Sequence, residues 1–104
     1  KPNCVSSKSS GHQWIEPIVD GENRWQQLPR MLERMPSFRI VTQGDDYIHA
    51  EARTRVLRFL DDVEFQLSRG EDVIHVRSAS RLGYFDFGVN RKRLEAIRQR
   101  LKES

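Results

Sequence analysis

Cysteine is almost missing from this chain. Cys4 is the only one, which excludes an internal disulfide and any cysteine-rich metal centre. Long apolar runs are missing too. No stretch approaches the roughly 20 apolar residues that a membrane-crossing helix needs, and no export leader is visible. Recognised catalytic punctuation is also lacking: there is no G-x-S-x-G elbow, no phosphate-binding P-loop and no dinucleotide fingerprint. Serines are plentiful, yet no spacing ties one of them to a base. Repeats and low-complexity tracts do not occur. The chain opens on Lys1 rather than Met and reads as a trimmed or mature fragment. Lys1, Pro2 and Asn3 precede Cys4 where a lipidated bacterial cysteine would follow small, apolar residues, so Cys4 is not read as a lipid anchor.

What is present fits one small globular domain. The chain has 104 residues, 37% of them hydrophobic and 32% charged, polar but still able to form a modest core. The net charge of +3 is unevenly spread. Arg91, Lys92, Arg93, Arg98, Arg100 and Lys102 crowd the C-terminus against Glu95 and Glu103. Such a basic end is compatible with nucleic acid, anionic lipid or an acidic protein.

Periodicity gives the elements. Residues 1–13 are rich in serine and read as an extended N-terminal arm, and residues 14–104 as a single α+β domain. Trp14, Ile15, Ile18 and Val19 form a short apolar stretch around Pro17, suited to the surface or to an edge strand. Asp20 is placed to cap a helix in which Trp25, Leu28, Leu32 and Met35 recur at helical spacing. Pro29 should kink that helix and Pro36 end it. Four strands follow: Phe38 to Gln43, Tyr47 to Thr54, Asp61 to Ser68 and Val73 to Ser80. The link from Arg55 to Leu60 reads as a helical turn or bulged corner. A Gly-bearing aromatic loop, Leu82 to Val89, leads to Asn90, read as the cap of a last helix with Leu94, Ile97 and Leu101 as its apolar stripe and Arg91 and Glu95 paired. The expected fold is α+β: a four-stranded antiparallel meander, with a kinked N-terminal helix and a C-terminal helix packed on one face.

Two constellations bear on chemistry. If Ser68 faces Val73 across the Arg69–Asp72 turn, then Gln66 faces His75, Glu64 faces Arg77 and Asp62 faces Ala79. One sheet face then carries His49, Glu51, Arg53, Asp62, Glu64, His75 and Arg77. That is either a polar site or a wet face laced by cross-strand ion pairs, and the second is favoured because antiparallel sheets commonly leave one face solvated. The other constellation is Arg77, Ser78, Ser80 and Arg81, with Asn90, Arg91 and Arg93. Cations in the first turn of a helix oppose its dipole. Either an outside anion compensates them, or Asp61, Asp62 and Asp86 do so from within; the internal clamp is favoured.

Other signals are weaker. His49-Ala50-Glu51 has the H-x-E spacing of zinc deaminases without the P-C-x-x-C that should follow. Cys4 with His12, or Asp61, Asp62 and Glu64 together, make poor metal sites. No metal and no cofactor is therefore expected. Tyr84, Phe85 and Phe87 could stack bases beside the basic helix, but anchoring the loop is the readier role for large aromatics.

Four ordered segments, Pro2-Asn3-Cys4-Val5-Ser6-Ser7, Phe59-Leu60-Asp61-Asp62-Val63-Glu64-Phe65, Val76-Arg77-Ser78-Ala79-Ser80-Arg81 and Gly88-Val89-Asn90-Arg91-Lys92-Arg93-Leu94-Glu95, make the chain resemble the uncharacterised domain-of-unknown-function family 1499 along nearly its whole length. Tyr84-Phe85-Asp86-Phe87 departs mildly from the family's pattern. The resemblance implies a bacterial or plastid protein, often one with an N-terminal export, lipoprotein or membrane segment, and hence a periplasmic, envelope or lumen address. It also implies that Asn3, Cys4, Asp61, Asp62, Glu64, Arg77, Ser78, Ser80, Arg81, Asn90, Arg91, Arg93 and Glu95 are the stressed positions.

The functional expectation is a non-enzymatic binding or assembly module. It would recognise an acidic protein segment or a small anion through Arg77, Ser78, Ser80, Arg81, Asn90, Arg91 and Arg93, beside Asp61, Asp62 and Glu64. One alternative is a hydrolase-like enzyme using carboxylate and histidine acid–base chemistry, with Asp62, Glu64, His49 or His75. The other is nucleic-acid binding through the C-terminal helix. Membrane contact would require a segment outside these residues.

Overall fold

Alternation along the chain builds one antiparallel sheet with both helices on one side of it. The computed structural model describes residues 3–54, 58–82 and 88–103. The candidates at Pro2, Val56, Leu57, Gly83, Tyr84, Phe85, Asp86 and Phe87 lie outside the described residues. The elements in order are β1 (Cys4–Ser6), a 3-10 turn (Gly11–Gln13), β2 (Ile18–Val19), α1 (Gly21–Glu33), β3 (Phe38–Gln43), β4 (Tyr47–Arg53), β5 (Leu60–Ser68), β6 (Val73–Ser80) and α2 (Val89–Glu103).

The expected meander of four strands is the β3–β6 part of a sheet of six. The strand order is β1-β6-β5-β4-β3, and β2 also pairs with β6. Strand β1 runs along one end of β6, with Cys4 opposite Ala79, and β2 along the other, with Ile18 opposite Ile74. The N-terminal arm therefore enters the sheet: Asn3, Val5, Ser6 and Ser7 are buried. Periodicity could not show this, because three residues are too few to display an alternation. The hairpin register is the expected one, with Ser68 opposite Val73, Glu64 opposite Arg77 and Asp62 opposite Ala79.

Because side chains alternate across a strand, Ile48, Ala50, Ala52, Val63, Phe65, Leu67, Ile74 and Val76 share one buried face. Against it pack Leu28, Met31 and Leu32 of α1 with Leu94, Ile97 and Leu101 of α2. The opposite face holds the polar residues, and among the described residues no helix lies on it. No described helix is long and apolar enough to cross a membrane.

Helix α1 runs unbroken through Pro29 to Glu33 and ends before Pro36. Its capping departs from expectation. Asp20 occupies the cap position, but in the left-handed region at φ 58°, and its side chain caps nothing. Asp72, in the β5–β6 turn, does so instead: Glu22 N–H donates to Asp72 Oδ1 at 2.9 Å and Gly21 N–H to the Asp72 carbonyl at 2.8 Å. The aspartate that satisfies the free N–H groups of the first turn thus comes from 50 residues downstream. Gly21 is needed because a Cβ there would stand 2.7 Å from the backbone of Val73.

That approach sets the first prediction. Gly21→Ala should force α1 away from β6 and lower stability by about 1–3 kcal/mol. Gly70→Ala, where a Cβ meets nothing within 4 Å, should stay within about 0.5 kcal/mol of the parent. Paired chemical denaturation curves measure both.

Candidate functional site

Adjacent aspartates on β5 part company. Asp61 faces the helices and Asp62 faces outward, so the candidate residues divide into two groups with the sheet between them.

On the helix side, Arg93 Nη2 lies 2.8 Å from Asp61 Oδ2, with side chains only 9% and 1% exposed. Neither Asp61 oxygen receives a well-aligned hydrogen bond from the described residues, so the pair is held mainly by charge. Arg93 Nη1 also donates to Asn90 Oδ1 at 2.8 Å and Ser78 Oγ at 3.1 Å. Asn90, fully buried, accepts from Ser78 Oγ–H, and its amide donates to the Asn3 carbonyl at 2.9 Å and Ser80 Oγ at 3.0 Å. Asn90 is therefore the second residue of α2 and a bridge between α2, β6 and the N-terminal segment. It is not the helix cap; the first turn closes on Gly88, whose carbonyl accepts from Lys92 N–H at 2.9 Å. The positive charge at this helix start is answered from within. Arg93 has Asp61, and Arg91 donates to the carbonyls of His12 and Trp14 at 2.9 and 2.7 Å. The expected Arg91–Glu95 pair does not form: Glu95 accepts from Arg98 Nε at 2.7 Å.

On the open face, Arg81 grips Asp62 with two hydrogen bonds, Nε to Oδ2 and Nη2 to Oδ1, each 2.8 Å, and reaches Glu51 Oε2 at 2.7 Å. His49 Nε2 sits 2.8 Å from Asp62 Oδ1. Glu51 also accepts from Arg39 at 2.9 Å. One step along β6, Arg77 Nη1 donates to Glu64 Oε1 at 2.9 Å, and the Tyr47 hydroxyl donates to Glu64 Oε2. A cavity of about 390 Å³ opens beside this network, lined by Cys4, Asp62, Arg77, Ala79, Ser80 and Arg81. Cys4 reaches it because it sits opposite Ala79 in the register.

Arg81 and Arg39 set the ionisation of their neighbours. Hydrogen bonds from Arg81, then from His49, outweigh partial burial and bring Asp62 down from 3.8 to about 2. Arg81 and then Arg39 lower Glu51 in the same way. Arg81 itself is raised by Asp62 and Glu51. Burial first, and then the hydrogen bond to Glu64, push the Tyr47 hydroxyl up to about 12. This face therefore presents ionised carboxylates, protonated guanidiniums and a neutral phenol at neutral pH.

A third cluster escaped the sequence. His75 Nε2 lies 2.9 Å from Glu71 Oε1, and its Nδ1 lies 3.0 Å from Ser7 Oγ. The order carboxylate–histidine–serine resembles nucleophile activation, but Ser7 is buried and its Oγ accepts from Val76 N–H at 2.8 Å. The serine fastens the N-terminal segment to β6. Tyr47 and Arg39 also escaped. Arg39 was discoverable, since it stands directly opposite Glu51 in the β3–β4 register. Among the described residues, no three of His, Cys, Asp and Glu are grouped to hold a metal ion.

The structure thus brings Asp61, Ser78, Ser80, Asn90 and Arg93 together on the covered side, and Asp62, Glu64, Arg77 and Arg81 on the open side. Arg91 belongs to neither group. Comparison with known proteins adds kinship. The family model described as protein of unknown function (DUF1499) matches residues 1–101. None of the curated proteins and none of the solved structures matches.

Two predictions follow from the two groups. Asp61→Ala leaves Arg93 buried without its acid and should destabilise by about 3–5 kcal/mol in denaturant unfolding. Asp62, whose carboxyl is lowered on folding, contributes stability that is complete above the unfolded value of 3.8 and is lost as pH falls through about 2. The stability difference between parent and Asp62→Asn should accordingly hold steady above about pH 5 and shrink between about pH 4 and 2, followed by unfolding across a pH series.

Proposed function

This chain belongs to the family described as protein of unknown function (DUF1499), and from that premise we propose that it is a binding module whose open sheet face recognises an acidic protein segment or a small anion. Arg77 and Arg81 make the contact. The observation that carries the reading is their dual state: each is anchored by a carboxylate, yet their side chains remain 46% and 43% exposed beside a cavity of about 390 Å³. A guanidinium has five N–H donors, so an arginine held at one edge keeps others for a carboxylate or phosphoryl oxygen. Glu64 and Asp62 position the forks in advance, which reduces the ordering cost of binding.

The same geometry counts against the acid–base alternative. Asp62 at about 2 neither gives nor takes a proton readily near neutral pH, where a useful catalytic group should titrate. His49 is hydrogen-bonded to that carboxylate, and Glu51 and Glu64 are bound by arginines. The nucleic-acid alternative loses much of its charge as well. Arg91, Arg93 and Arg98 of α2 are engaged by backbone carbonyls, Asp61 and Glu95, and Tyr84, Phe85 and Phe87 lie outside the described residues.

Titration of the isotopically labelled chain with acidic peptides, sulfate and phosphate tests the reading by NMR. Saturable shifts should centre on Arg77, Ala79 and Arg81. The double variant Arg77→Gln, Arg81→Gln should weaken peptide binding by about tenfold or more, the equivalent of one charged hydrogen bond, whereas Arg91→Gln should leave it unchanged. Shifts that avoid β6 altogether would remove the reading.

A further inference from the structure

A second concavity opens on the same face at the β3–β4 end, and nothing in the sequence motifs draws attention to it. It is lined by Pro36, Ser37, Phe38, Arg39, Glu51, Arg53, Thr54, Arg58 and Leu60, with a volume of about 610 Å³. Glu51 lines this groove, whereas its partner Arg81 and Asp62 line the other cavity.

Its charge balance differs from the rest of the face. Arg77 has Glu64, Arg81 has Asp62 and Glu51, and Arg39 shares Glu51. Arg53 and Arg58, both exposed, have no carboxylate among the described residues. Arg53 turns its Nη1 to the Arg58 carbonyl at 3.4 Å, which brings two cationic residues side by side. Arg58 also holds a left-handed backbone at φ 58°, a conformation that costs a non-glycine residue energy and tends to occur at ligand-holding positions. Its approach is fixed by a crossed pair of bonds: Thr54 N–H to the Phe59 carbonyl at 2.9 Å, and Phe59 N–H to Thr54 Oγ1 at 2.8 Å. Part of the lining is apolar: Leu60 is half-buried there, Pro36 borders the groove, and Phe38 borders it while packing against the core, opposite Ala52.

We infer that this groove is a separate site for an organic anion, an oxyanion carried on a small apolar body, with Arg53, Arg58 and Arg39 on the charged end and Leu60 and Pro36 beside the apolar part. Its volume falls in the range of about 300–1,000 Å³ typical of organic ligands and leaves space around a bare inorganic anion. Three arginines against one already shared glutamate leave the groove positive, so a ligand carboxylate or phosphoryl group completes a balance that the chain leaves open. The inference is independent of binding at Arg77 and Arg81, since the two concavities share neither of those arginines.

An NMR titration of the full chain with phenyl phosphate, benzoate, inorganic phosphate and benzyl alcohol tests it. Phenyl phosphate and benzoate should shift the amides of Ser37, Phe38, Arg53 and Leu60 saturably, and the tighter of the two names the headgroup class. Inorganic phosphate should bind about tenfold more weakly than phenyl phosphate, and benzyl alcohol should not bind. Arg53→Gln and Arg58→Gln should each weaken phenyl phosphate by about tenfold, while Arg77→Gln, whose partner Glu64 lies outside the groove lining, keeps it. Inorganic phosphate matching phenyl phosphate, benzyl alcohol matching benzoate, or Arg58→Gln without effect would each overturn the assignment. The comparison among ligands on the unmodified chain decides the matter even where a variant folds poorly.

Discussion

The strict alternation of β5 against β6 governs everything else in this molecule. Once the Arg69–Asp72 turn sets Ser68 opposite Val73, every odd residue of β5 from Asp61 to Leu67 is committed to the helices and every even one from Asp62 to Gln66 to solvent. A slip by one position would put Val63 and Phe65 in water and Glu64 in the core. The same register sets Arg77 on the outward face beside Glu64, while Asp61 on the inward row meets Arg93 of α2.

Much of this was legible in advance. Clean two-residue periodicity in Asp61 to Ser68 and Val73 to Ser80, with a turn rich in Gly and Asp between, defined the central hairpin and its cross-strand partners, Glu64 with Arg77 among them. Leu94, Ile97 and Leu101 at helical spacing announced the face that α2 buries. The family, too, was readable from ordered motifs that recur along the chain. What could not be read were contacts between residues far apart in sequence. Asp20 has the chemistry of a helix cap, yet Asp72 does the capping, because the close packing of Gly21 on Val73 brings a better-placed carboxylate from the neighbouring turn. Asn90 likewise looks like a cap and is instead drawn into the interior, where Ser78, Ser80 and the Asn3 carbonyl satisfy it.

The candidate cluster of arginines and serines is divided between the two faces of the sheet. Read linearly, Arg77, Ser78, Ser80 and Arg81 look like one patch, but neighbours on a strand point to opposite sides. Ser78 and Ser80 join Asn90 and Arg93 beneath the sheet, while Arg77 and Arg81 stand above it. Arg91 takes a third course and binds carbonyls of the segment that leads from β1 to β2, as Arg98 does further along at Pro17 and Glu16. Through Arg91 and Arg98, helix α2 straps down the N-terminal segment by its backbone carbonyls.

The position of β1 and β2 has a consequence for assembly of the chain. They bond to β6 over long stretches of sequence, as the Ser7–Val76 contact with a separation of 69 and the Ile18–Ile74 pair of β2 illustrate, whereas β3 to β6 join one another through short, local connections that close quickly. Without β1 and β2, β6 would be a bare sheet margin, the kind of edge that can pair with another chain. The N-terminal residues act as a guard strand carried by the chain itself, and their removal would leave that margin of the sheet prone to stick edge to edge.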